Sequence, residues 1–314
     1  MHHGEAPSRM ITLFAIPKPM EGEFERIQEN AIGSWLRLGF GVEILLFGGE
    51  RGVNDFARRT GIEHIPEVAR TTYGTPRVDD LFRKAEARAA RPLLGYINAD
   101  IILGSDFLDA VRVLSRVTRP FLAVGRRWDL DVAEDIDYSK TDWEECLRRR
   151  VAERGALHAE TGIDYFIYRP GLWKRIPPFA VGRTMWDNWL ILSARRRRAL
   201  VIDATDSIWS VHQNHGYNHH PRGAEGVWKG PEAVENERLA GGALRLFNIN
   251  DATHRLAGGR IERIDTPERR ERERYMRPAL WAPAAWVEGF GKLLGRVGSA
   301  LRRAAVRILK RPGG

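Results

Sequence analysis

Cysteine is all but missing from this chain: Cys146 is the only one in 314 residues. An internal disulfide is therefore excluded, and so is a zinc cage built on cysteines. Long apolar runs are missing as well. Nothing approaches the ~20 residues that a membrane-crossing helix needs, so no spanning helix is expected. The first nine residues are polar, carry Glu5 and lead into no apolar core with a small-residue cleavage site, which argues against a secretory signal. A cytoplasmic address fits these absences. Lysine is scarce, with seven against 43 arginines, and the net charge is +9. A basic balance suits nucleic acid, anionic lipid or phosphorylated small molecules. The basic residues do not interleave with aromatics in a recognisable nucleic-acid module, and the surplus gathers near the C-terminus, so no nucleic-acid partner is expected. What is present is ordinary globular composition, 43% apolar and 29% charged, which is incompatible with disorder throughout.

Short apolar runs alternate with helical patterns. Ile11–Ile16, Val42–Phe47, Ile62–Ile65, Leu93–Ile97 and Phe121–Val124 read as buried strands. Between them, Glu21–Leu38 (stopped by Gly39), Val53–Arg59, Asp79–Ala90 and Ser105–Val117 read as helices, the last with Ser105 as its cap. This alternation predicts an α/β domain with a doubly wound, mostly parallel sheet and helices on both faces. Further on, Asp142–Arg154 and Thr184–Arg198 read as helices, and Tyr165–Tyr168 and Leu200–Ile202 as strands. After Thr266 the composition shifts to a charge run, a proline-broken stretch and a basic tail. The expected organisation is a polar leader over residues 1–9, a catalytic domain over 10–266, and a charged linker with a basic amphipathic tail over 267–314. Ligands of such sheets bind beyond the carboxyl ends of the strands. The loops expected to carry chemistry are Pro17–Met20, Gly48–Arg51, Ala69–Val78 and Asn98–Gly104.

Four constellations fall in or near those places. In Tyr96–Ile102 a strand ends on Asn98 and Asp100, two apart and so facing one way if the strand continues. A carboxylate there suits a divalent cation that bridges two phosphates; an aspartate opening a loop looks the same. Asp187 sits at a helix start between Trp186 and Trp189, which suits either a general base in a stackable, low-polarity pocket or a simple helix-dipole partner. His212 and His215 belong to a histidine-rich stretch running to His220, whose Asn, Gly and Pro neighbours read as loop, and imidazole suits Mn²⁺, Zn²⁺ or Fe²⁺. The loop Thr71–Asp80 opens a helix, and its backbone N–H groups and Arg77 suit a phosphate or a base.

Taken in order, the segments Gly74–Pro76, Tyr96–Leu103, Val124–Asp131, Gly162–Phe166, Ile176–Arg183, Trp186–Trp189, Val201–Thr205, His212–His215 and Asn250–His254 resemble the nucleotide-diphospho-sugar transferases of the GT-A fold, and most closely bacterial family-two-like glycosyltransferases. The resemblance implies a GT-A type sheet and transfer of a sugar from a nucleotide sugar donor to an acceptor hydroxyl. It implies assistance by Mn²⁺ or Mg²⁺ and inversion at the sugar. Asn98–Asp100 stands where the family has its DXD motif, with an amide for the first acid, so Asp100 is the implied metal ligand, joined by His212 or His215. Pro17, Lys18, Glu50, Thr75, Arg77, Asp79, Asn98, Asp100, Arg183 and Trp186 are the implied donor-binding residues. Asp187, followed by Arg195, stands for the acidic dyad of inverting members, and Asp164 stands where donor or acceptor sugar approaches. Two other readings remain: a nucleotidyltransferase of the same fold class, and a non-catalytic sugar-nucleotide-binding module, which the amides at Asn98 and Asn188 favour.

The tail carries its own expectation. From Phe290, the positions Leu293, Leu294, Val297, Leu301, Ala304, Ala305 and Ile308 keep helical spacing, with Lys292, Arg296, Arg303, Arg307 and Lys310 opposite. Residues 281–311 are expected either to lie on an anionic membrane surface, at its inner face, or to pack their stripe on the domain. A lipid-linked or polysaccharide acceptor would suit the first.

Overall fold

The computed structural model describes residues 10–216, 223–242 and 247–281. The large sheet is built from β1 (Ile11–Ala15), β2 (Val42–Phe47), β3 (Glu63–Ile65), β4 (Leu93–Ile97), β6 (Phe121–Val124), β9 (Tyr165–Tyr168), β10 (Leu200–Asp203), β12 (His254–Ala257) and β13 (Arg260–Arg263). Its order is β13-β12-β10-β6-β9-β4-β1-β2-β3. β9 and β13 run antiparallel to their neighbours and the other pairings are parallel. The α/β class with a mostly parallel sheet is thus as expected. A smaller sheet of β5 (Ile101–Leu103), β11 (Ser210–Gln213), β7 (Trp128–Leu130) and β8 (Ala156–Leu157) stands beside it in that order.

The central strands of the large sheet form where they do because both faces are covered. Along β1, Leu13 packs with one layer and Phe14 with the other, as strict alternation demands. One layer receives α1 (Gly22–Arg37), α2 (Val53–Thr60) and α4 (Asp106–Ser115) through Ile32, Trp35, Phe56, Phe107 and Leu114. The other receives α3 (Val78–Arg88) and α6 (Trp186–Arg196) through Leu81, Phe82, Trp186 and Leu190. Each fully buried side chain of this size contributes about 1.5–3 kcal/mol. A third, smaller core joins α5 (Trp143–Arg154) to the small sheet through Leu147, Val151, Ile102, Leu130 and Val211. Two short helices, α7 (Gly223–Lys229) and α8 (Pro231–Ala240), follow the small sheet in the chain, and α8 packs its Ala240 into the main core.

Several expectations need correction. Gly39 does end α1, in a left-handed conformation (φ 78°) that a side chain disfavours. Ser105 does not cap α4: its hydroxyl donates to Glu144 instead. The sixth helix opens at Trp186, two residues later than expected, because Met185 takes a left-handed backbone (φ 84°). His212 lies on a strand, not in a loop. Packing continues past residue 266. The charge run becomes α9 (Pro267–Trp281), which buries Met276, Ala279 and Leu280 in the main core and pairs Glu273 with Arg195 and Arg272 with Asp251. The leader and the stripe from Phe290 onward lie outside the described residues. Among the described residues no helix is long and apolar enough to cross a membrane.

Candidate active site

The end of β4 is handed from one sheet to the other. Ile97 is its last residue, Asn98–Asp100 form a turn, and β5 begins at Ile101 in the small sheet. α1 holds β5 in place: Trp35 Nε1 donates to the Ile101 carbonyl at 2.8 Å and the Leu103 N–H donates to the Ser34 hydroxyl at 3.0 Å. Because 98–100 is a turn, Asn98 and Asp100 do not share a direction as a continued strand would impose. The Asn98 amide donates to Asp164 Oδ1 at 2.7 Å and its oxygen accepts from the Tyr96 hydroxyl at 2.9 Å. Asp100 turns to the histidines.

Strand register brings those histidines in. β11 pairs His212 with Ile101 on one side and with Asp129 of β7 on the other. His215, just past the strand, places Nε2 3.2 Å from Asp100 Oδ2, and His212 Nε2 is 3.9 Å from the same oxygen. One ligand atom from each of Asp100, His212 and His215 lies within 4.8 Å of the others. The second oxygen of Asp100 is buried with no hydrogen-bond partner among the described residues. Two atoms that share one ion at ~2.1 Å are separated by roughly 3–4 Å, so the cluster has the dimensions of a cation site. One carboxylate and two imidazoles fit Mn²⁺ well; Mg²⁺ prefers oxygen and keeps its water. Burial alone would raise the Asp100 carboxyl, but the His215 hydrogen bond and the His212 and Lys18 charges outweigh it and hold it well below the usual range.

Lys18 follows β1. Its backbone N–H donates to the Gln28 amide oxygen at 2.6 Å and its carbonyl accepts from the Gln28 NH₂ at 3.1 Å. This clamp leaves Nζ 3.5 Å from His215 Nε2 and over the Phe24 ring. Burial lowers its pKa, against the pull of Asp100 and Glu23.

Asp187 lies in the first turn of α6, half-buried. Burial pushes its carboxyl up to about 6, the Asp164 charge adds to that, and backbone N–H groups at 187 and 188 oppose it. Among the described residues, Trp186 and Trp189 do not form the stackable pocket expected around it. Trp186 turns into the core, 5.2 Å from the rings of both Tyr96 and Phe166, and Trp189 packs on Phe179. Asn188 donates to the Phe247 carbonyl. Arg195 is spent on the Asp251 carbonyl and on Glu273.

The other sequence-derived residues meet in separate groups. Glu50 pairs with Arg70 at 2.7 Å, and its second oxygen is buried without a partner among the described residues. Arg77 and Asp79 pair with each other. Thr75 and Arg183 share Glu232, a buried acid on α8 that also accepts from the Thr71 hydroxyl at 2.6 Å. Pro17 is buried beside Lys18. A cavity of about 600 Å³ is lined by Gly49, Val68, Ala69, Arg70, Asp80 and Lys84 among others; Asp100, the histidines and Asp187 are not in its lining.

Sequence reading missed Glu232, Arg127, Asp129 and His158. Arg127 joins Asp164 to Asp129, its Nε 3.0 Å from Asp129 Oδ1. His158 Nδ1 lies 2.5 Å from Asp129 Oδ2. Gly162 makes this possible, because a Cβ there would collide with the His158 ring and lie 3.0 Å from Arg127 Nη1. The signal available was the Arg127-x-Asp129 spacing on an extended segment.

No family model matches the sequence, and no curated protein matches it. Among solved structures the chain is similar to S. aureus TarS in complex with UDP-GlcNAc, at 12% identity and a TM-score of 0.48, over 76% of this chain and 66% of that one. It is also similar to the mannosyltransferase PcManGT from Pyrobaculum calidifontis in complex with GDP-Man and Mn²⁺, at 13% identity and a TM-score of 0.44, over 98% and 84%. Another is glucosyl-3-phosphoglycerate synthase from Mycobacterium tuberculosis, at 14% identity and a TM-score of 0.39, over 66% and 72%. The chain spans less than two thirds of the length of the TarS structures it matches. The likeness is one of fold.

Proposed function

We propose that this chain is a glycosyltransferase that moves a sugar from a nucleotide-diphospho-sugar to an acceptor hydroxyl, with inversion and with a divalent cation held by Asp100, His212 and His215. The observation that carries the reading is the convergence of those three side chains at the carboxyl end of β4, in a protein whose sequence segments resemble that family. A cation bound there supplies charge for the departing nucleoside diphosphate. Lys18, whose Nζ faces His215, adds a donor to the phosphate side. Asp164 and Asn98 hold each other at 2.7 Å and line the approach of the sugar. Asp187, lifted to about 6, is ionised near neutral pH and basic enough to take the acceptor's proton. The acceptor is lipid-linked in this reading, and the basic stripe of residues 281–311 holds the enzyme to anionic lipid.

The experiment is a thermal-shift and turnover panel of UDP- and GDP-sugars with and without Mn²⁺. Donor binding that needs Mn²⁺ and disappears in Asp100→Ala supports the reading. Metal-independent binding of nucleotide, or its persistence in that variant, refutes the metal assignment. Co-sedimentation with anionic liposomes, lost on deleting residues 282–314, checks the membrane side.

A further inference from the structure

An imidazole offers its Nε2 lone pair to a cation only when its proton sits on Nδ1, and that proton needs an acceptor. His212 has two carboxylates to choose between. Asp100 Oδ2 lies 3.9 Å from Nε2, and Asp129 Oδ1 lies 3.4 Å from Nδ1. Nδ1 is buried and makes no hydrogen bond among the described residues, so Asp129, at 3.4 Å, is the acceptor nearest to hand, just beyond ordinary N–H···O distance. A tilt of the ring is enough to close that gap. Asp129 itself cannot swing away. His158 Nδ1 occupies its Oδ2 at 2.5 Å, and Arg127 Nε occupies its Oδ1 at 3.0 Å while Nη1 of the same arginine grips Asp164. The backbone supports this arrangement: β7 and β11 are in register at Asp129 and His212, and the His158 N–H donates to the Arg127 carbonyl at 2.9 Å.

We infer that Asp129, pinned by His158 and Arg127, is the positioning residue that keeps the His212 proton on Nδ1 and turns Nε2 towards Asp100, so that the site is preorganised for a cation. Without Asp129 the proton moves to Nε2 to meet Asp100, and the ligand atom is blocked. The inference rests on the metal reading above and deepens it. Outer carboxylates of this kind change metal affinity by ~10–100-fold.

The test uses the full chain with Mn²⁺ alone, without nucleotide. Mn²⁺ affinity is measured by calorimetry, and the His212 tautomer is read from imidazole ¹⁵N shifts of the metal-free protein at alkaline pH. Wild type, Asp129→Asn and His158→Gln are compared. The expected result is Nδ1–H in the wild type, loss of that signature in Asp129→Asn with ~10–100-fold weaker Mn²⁺ binding, and a smaller weakening in His158→Gln. Equal affinity in wild type and Asp129→Asn overturns the inference and leaves the metal reading standing. So does weaker binding with an unchanged tautomer, since that is what a merely structural role produces. Wild type that binds no Mn²⁺ overturns both. If Asp129→Asn fails to fold, His158→Gln decides, and unchanged affinity and tautomer there overturn the inference.

Discussion

Replacing Asp187 with asparagine should make the protein more stable and less active. The carboxyl is lifted from 3.8 to about 6 by burial. A group whose folded value is raised contributes stability below its unfolded value and loses it as pH rises through the folded one. Stability from this group is therefore full below pH 3.8 and gone above about pH 6. The ionised form costs up to about 3 kcal/mol, at ~1.4 kcal/mol for each tenfold change in proton affinity. Asparagine keeps the shape and one acceptor oxygen for the opposing backbone N–H but carries no charge. For a domain of this size ~1 kcal/mol moves Tm by ~2–4 °C, so Asp187→Asn should melt several degrees above wild type at pH 8. The gap should close as pH falls below 6. Transfer should drop ~10²–10⁴-fold with donor binding retained, and wild-type transfer should rise with pH through about 6. Thermal melts from pH 4 to 8, paired with donor titration and single-turnover assays, read all of these. A variant no more stable than wild type at pH 8 would refute the buried-charge argument. Unchanged transfer would remove Asp187 from the base role.

Glu232→Gln should destabilise the protein by about 3–5 kcal/mol, because it leaves the largely buried Arg183 guanidinium without its charge partner; a urea midpoint measures it, and faster proteolysis near Thr71–Thr75 shows the loop released. Trp186→Ala should cost about 3–5 kcal/mol by opening a cavity beside Tyr96 and Phe166, whereas a wall of an open pocket would cost far less. Gly162→Ala should cost about 1–3 kcal/mol by crowding His158 and Arg127, read in the same denaturation series.

How far the sequence was legible follows from how each element earns its place. β2, β4, β6 and β9 have the limits read from their apolar runs, because they are buried on both sides and need no partner pattern to be seen. β5, β7 and β11 were invisible. They are three or four residues long, and Trp128–Leu130 and Ser210–Gln213 mix polar and apolar positions that no local period distinguishes from loop. α9 reads as linker in the sequence because its first half is charge. Its signal was the spacing of Met276, Ala279 and Leu280, three residues that decide which face docks.

The site divides along the same line. Asp100, His212 and His215 stand out because each is an unusual residue in its own surroundings: a carboxylate closing an apolar strand, and imidazoles in a polar stretch. Asp129, His158 and Glu232 are acids and imidazoles in segments rich in charge, so nothing local sets them apart. What distinguishes them is tertiary: strand register between Asp129 and His212, eighty-three residues apart, the space beside Gly162 for His158, and the docking of α8 that brings Glu232 to Thr71, Thr75 and Arg183. The direction of Trp186 is of the same kind. A tryptophan beside an acid at a helix start can flank the acid or brace it from below, and the left-handed turn at Met185 coincides with the second. The atoms proposed as ligands are therefore accessible to residue chemistry, while the groups proposed to aim them are accessible only to topology. Substitutions at Asp129 and His158 should accordingly alter metal affinity and the His212 tautomer before they alter the fold.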